Sequence, residues 1–152
     1  MRPVPAGRPW LTRLPVTPSP TMASRPGALL EELMVIGIGA SAGGLKALLE
    51  LLRHVPPNTG MAYVVVVHLL PEHESRMPDL LQPATSMPVL AVTEALRIQP
   101  NNVYVISPNS QLRMHGGTLE LTAVPKQRGN RMTIDVFLET LANSHQQRAV
   151  GV

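Results

Sequence analysis

Five histidines, ten carboxylates and a serine set among glycines are the residues of this chain with chemical potential, and cysteine is absent. Thiolate nucleophiles, disulfides and zinc–thiolate sites are therefore excluded. Residues 37–44 read GIGASAGG and satisfy two motifs at once. Gly37, Gly39 and Ala42 fit G-x-G-x-x-G/A, a phosphate-cradling turn of dinucleotide sites. Gly39, Ser41 and Gly43 fit G-x-S-x-G, a turn that lifts a serine nucleophile clear of its strand. The next strand separates the two. A dinucleotide site wants a carboxylate at its end to hold the ribose hydroxyls, whereas this strand ends VVVVHL, with His68 and no acid before Glu72. A base stands where a nucleotide fold would place an acid, so the nucleophile reading prevails. Its chemistry is acyl transfer: His68 takes the Ser41 proton, and the amides at the start of the following helix, that of Ala42 included, receive the oxyanion. Gly39, Gly43 and Gly44 are read as the small residues that a chain doubling back around Ser41 requires. The competing structural use of Ser41 is to cap the next helix.

The other histidines point elsewhere. His54 suits the negative end of a helix dipole. His115 falls at a hairpin turn and His145 near a helix end, both expected exposed, and His73 lies in a polar loop. His68, Glu72 and His73 form H-x-x-x-E-H, one residue off the H-x-x-E-H zinc spacing, and Pro71 breaks the helix that spacing needs. No metal site and no cofactor are expected.

The elements that must position Ser41 and His68 follow from apolar patterning. Met34–Ala40 reads as a buried strand, 44–54 as a helix with Leu45, Leu48, Leu49 and Leu52 on one face, and 62–69 as a central strand apolar on both faces. A short helix over 74–82, strands over 87–92 and 103–107, and a hairpin over 110–123 turning at Gly116–Gly117 come next. Thr133–His145 reads as a helix with Thr133 as N-cap and Asp135 in its first turn, and Arg148–Val152 as a strand only begun. Strand, helix, strand in succession implies a doubly wound, mostly parallel α/β sheet, incomplete at its C-terminus. Ligands of such sheets bind at the carboxyl ends of the strands, where Ser41 and His68 fall.

Composition narrows the partners. The formal charge of +3 comes from residues 1–30, which carry Arg2, Arg8, Arg13 and Arg25 and no acid. Residues 31–152 keep 9 basic against 10 acidic residues, so no electrostatic footprint for nucleic acid remains. Seven of the 16 prolines also fall within 1–30, which reads as a disordered leader ahead of a domain over 33–152. Nowhere do 18 apolar residues run together, so no membrane insertion is expected. The absence of cysteine fits a reducing, cytoplasmic setting.

The segments VIGIGASAGGLKAL, VPPNTGMAYVVVVHLLPEHESRMPDLL, TSMPV, NNVYVISPN and RMTIDVFLETLA resemble, in order and spacing, the CheB-type protein-glutamate methylesterase domain. The version fused to CheR-type methyltransferases is the most similar, since it carries GASAGG where GASTGG is commoner. The resemblance spans about Met34 to Val152, roughly the first two thirds of that domain. It implies a Rossmann-like methylesterase fold and a Ser-His-Asp triad that hydrolyses glutamate methyl esters of chemoreceptors, in some members with glutamine deamidation. Ser41 matches the nucleophile and His68 the base, while Val67 replaces a frequent glutamine. Asp135 matches an acidic helix position but not the triad acid. That aspartate is expected in a glycine-rich loop beyond Val152. The family's receiver domain is not found before residue 34. The implied partners are a methylated chemoreceptor and a fused or separate methyltransferase. A module of the same fold that binds a signalling partner without catalysis is the alternative, since the triad acid is missing.

Overall fold

The structure, a computed structural model, describes residues 33–68, 76–123 and 133–152. The leader expected over 1–30 lies outside these residues, as do Glu72, His73 and the first part of the helix expected over 74–82. A five-stranded parallel sheet forms the centre. Its strands are β1 (Val35–Ser41), β2 (Ala62–His68), β3 (Val89–Val92), β5 (Val103–Ile106) and β8 (Ala149–Gly151), in the order β3-β5-β2-β1-β8. A second, antiparallel sheet of β4 (Leu96–Arg97), β6 (Ser110–His115) and β7 (Thr118–Ala123) runs in the order β4-β7-β6. The helices are α1 (Leu45–His54), α2 (Met77–Leu81) and α3 (Thr133–His145). The mostly parallel sheet flanked by helices is the architecture read from the sequence.

Burial explains the strand compositions. Residues 62–67 and 103–106 are all buried, so the two central strands can be apolar at every position rather than alternating. α1 turns Leu48 and Leu52 inward and ends at Val55, which is extended as a residue before proline must be. α2 passes into a single 3-10 turn at Gln82–Ala84. There the Gln82 amide donates to the Met87 carbonyl (3.0 Å) and accepts from the Val89 N–H (3.0 Å), fixing where β3 begins. Gly116 and Gly117, at φ +52° and +81°, make the tight turn between β6 and β7 that only such residues adopt readily. The two-residue β4 is too short to leave a period in the sequence and was not expected.

α3 packs on β1, β2 and β8 of the central sheet and also against β6. The hydroxyls of Thr140 and Ser144 accept the N–H groups of Met114 and Gly116, each at 3.1 Å. Two residues of strand and four of helix both advance about 6–7 Å, so one helix face can satisfy alternate donors of a sheet edge. Two readings of α3 are corrected. Thr133 is its first helical residue and buried, rather than a cap outside it. His145, expected exposed, is only 3% exposed, because Thr133, Phe137, Leu141 and His145 recur every four residues along the inward face.

Candidate active site

β1 climbs from a buried Val35 to an exposed Ser41, its last residue. Ser41 is extended (φ −92°, ψ 177°), and the chain then tightens into the 3-10 turn Ala42–Gly44 that leads into α1. The first N–H groups of such a turn have no partner within it and gather where the serine emerges. Ala42 supplies the first of them. Ser41 occupies the N-cap position of this turn, but its hydroxyl makes no capping hydrogen bond there.

β1 and β2 pair in parallel through seven Cα partners, from Val35↔Ala62 to Ser41↔His68. Neighbouring strands lie about 4.8 Å apart, so the backbones of the two candidate residues stand side by side at the carboxyl edge of the sheet. On its other side β1 pairs with β8, and that pairing is extended by Val152, whose N–H donates to the Gly37 carbonyl and whose carbonyl accepts from the Gly39 N–H, both 2.9 Å. The chain leaves β1 towards β2 and comes back to its far side only at β8. That reversal makes the carboxyl end of β1 the switch point of the sheet, the place where open α/β sheets hold their ligands.

The glycines divide differently from the sequence expectation. A Cβ on Gly39 would stand 2.5 Å from Ile134 Cγ2, and one on Gly37 2.7 Å from a Leu141 methyl. Both face α3. A Cβ on Gly44 would meet only the Ala40 methyl at 3.2 Å, and one on Gly43 nothing within 4 Å. Gly39 is therefore small for a helix 95 positions away, rather than for the turn itself. Ile134 went unnoticed in the sequence. The available signal was the i, i+2 pair of glycines, which marks a strand face that another element approaches closely.

Asp135 is exposed in the first turn of α3, where its charge complements the helix dipole. Among the described residues no three of His, Asp and Glu gather as metal ligands, and no helix is long and apolar enough to cross a membrane.

Residues 36–152 match the CheB methylesterase family. The chain is 35% identical over 119 residues to a protein-glutamate methylesterase/protein-glutamine glutaminase of Pseudomonas syringae pv. syringae, covering 78% of this chain and 35% of that protein. With one of Pseudomonas fluorescens it shares 32% over 144 residues, covering 94% of this chain and 43% of the relative. The chain thus spans about two fifths of the length of these relatives. The crystal structure of the Thermotoga maritima CheB methylesterase catalytic domain superposes with a TM-score of 0.67 at 22% identity, covering 78% of this chain and 65% of that one, a likeness of fold.

Proposed function

We propose, on the premise that the chain belongs to the CheB methylesterase family, that the carboxyl edge of its parallel sheet hydrolyses methyl esters of protein glutamates. The observation that carries this reading is the pairing of Ser41 with His68 at the ends of neighbouring parallel strands. His68 takes the proton of the Ser41 hydroxyl as its oxygen attacks the γ-ester carbonyl. The Ala42 N–H steadies the oxyanion. The intermediate collapses, methanol leaves with the proton from His68, and water then releases the glutamate by the same steps. Glutamine would react identically with ammonia as leaving group, in keeping with the double name of the relatives.

The substrate we assign is a methylated chemoreceptor helix lying across the strand ends, in the cytoplasm, with a fused or separate methyltransferase supplying the ester. We place the triad acid in the glycine-rich loop that follows the strand beginning at Ala149, beyond Val152.

The test is methanol release from a peptide carrying γ-methyl glutamate, by a version of the protein that runs through that loop. Ser41→Ala and His68→Ala should each abolish release, and the double variant should be scarcely worse, because triad members act as a unit. Additive losses would separate the two residues and overturn the reading. Peptide binding without methanol release, unaltered by Ser41→Ala, would favour the non-catalytic binding module.

A further inference from the structure

We infer that Ile134 is a positioning residue for the Ser41 turn, an inference that rests on Ser41 being the nucleophile. Gly39 lies two residues before Ser41 on the same face of β1, so nothing on that face separates the Gly39 notch from the serine. Ile134 fills the notch: its Cγ2 stands 2.5 Å from where a Cβ on Gly39 would be, and its Cδ1 3.6 Å. No side chain larger than hydrogen allows this approach, so the end of β1 and the first turn of α3 are held at a separation set by one methyl group.

The key is stiff as well as close. A β-branched side chain in a helix is confined almost to one χ1 rotamer, so Cγ2 has little freedom to withdraw. α3 cannot easily give way either. Further along the same face, Phe137, Leu138 and Leu141 crowd Gly37, and the hydroxyls of Thr140 and Ser144 hold the helix to the second sheet. Among the described side chains of the turn the approaches are looser, the closest being that of a Cβ on Gly44 to the Ala40 methyl at 3.2 Å. Gly43 has no neighbour within 4 Å of its missing Cβ, and Ser41 makes no capping bond. The height of the nucleophile above the sheet is thus set from α3, through Ile134.

The readout is the rate at which a fluorophosphonate modifies Ser41 in the version of the protein continued through the loop proposed to hold the triad acid, followed by mass spectrometry beside the melting temperature. In that step the Oγ–P bond forms, the P–F bond breaks, fluoride leaves and His68 takes the proton. Ile134→Leu keeps the volume but moves the branch away from the notch. It should slow modification roughly tenfold, as small misplacements of reacting groups do. Ile134→Val keeps Cγ2 and the single rotamer and should stay within about twofold of wild type. Gly39→Ala should also slow modification, and adding Ile134→Ala to it should restore part of the rate, because the two sites share one contact. If the Ala variants do not fold, the Leu and Val variants decide. An Ile134→Leu protein that melts and reacts like wild type, or a folded double variant no faster than Gly39→Ala alone, would overturn the inference. A folded wild-type protein whose Ser41 stays unmodified would instead overturn the nucleophile reading, and this inference with it.

Discussion

Ser41 is paired with His68 only because all seven pairs of the β1–β2 register are kept. A slip of one residue would set the serine against Val67 and turn every side chain of one strand to the other face. The glycines beside the serine answer to different demands, and substitution should separate them. Gly39→Ala drives a Cβ to within 2.5 Å of Ile134 and should cost about 1–3 kcal/mol, the usual penalty for overpacking. Gly43→Ala enters open space at a backbone conformation any residue tolerates, and its stability should stay within about 0.5 kcal/mol of wild type. Urea denaturation of the two variants checks both values. Open space beside Gly43 is also what a bound ester would need, so a loss of methanol release by the stable Gly43→Ala protein would mark this side of the turn as the approach of the substrate.

α3 joins the two sheets and carries one polar group at odds with its surroundings. Among the described residues the buried His145 Nδ1 has no hydrogen-bond partner. Burial, and to a lesser extent the Arg148 charge, holds this imidazole below the usual histidine range. The folded protein therefore keeps it neutral where the unfolded chain, titrating near 6.5, takes up a proton. Its contribution to stability is complete above about pH 6.5 and is lost as the pH falls from there towards the lowered folded value. His145→Leu removes both the titration and the unpaired nitrogen. The variant should be at least as stable as wild type at pH 7.5, and its advantage should widen at pH 5.5. Melting curves at the two pH values measure this, and a constant difference between the proteins would place the imidazole in a more polar setting than its burial implies.

The apolar surface of the whole protein is uneven. Val150 and Val152, on and just after β8, are 39% and 62% exposed, and Met34 beside β1 is 38% exposed. On a parallel sheet such surface is ordinarily covered by a helix. A version continued past Val152 should accordingly hydrolyse the ester far faster than residues 1–152 alone. Disabling the triad acid in serine proteases costs roughly 10⁴ in turnover. Comparable turnover by the two would show that an acid within this chain serves His68, with Asp135→Asn the next variant to make. The leader should be dispensable in turn. With four arginines, seven prolines and no apolar periodicity, residues 1–30 have little to bury, and their removal should change stability by less than about 0.5 kcal/mol. A large drop in melting temperature on deletion would mean that the leader packs on the domain.

Much of this was legible in the sequence because it is local. The run of valines before His68, the leucines of α1, the paired glycines between β6 and β7 and the period of α3 each announce an element through its own hydrophobic spacing. G-x-S-x-G followed by a strand ending in histidine is the signal on which the proposed chemistry rests. The order of the strands was not legible in the same way, since the position of β8 beside β1, and with it the switch point at Ser41, depends on which edge a distant segment joins. Nor was the purpose of Gly39, whose neighbour Ile134 lies 95 residues on. His145 was misjudged because its place near a helix end suggested exposure, while the four-residue repeat from Thr133 through Phe137 and Leu141 turns it inward. Periodicity tells each segment which of its sides is apolar. Only the packed sheet decides which segments those sides meet, because that choice is made by the close fit of residues far apart in the chain.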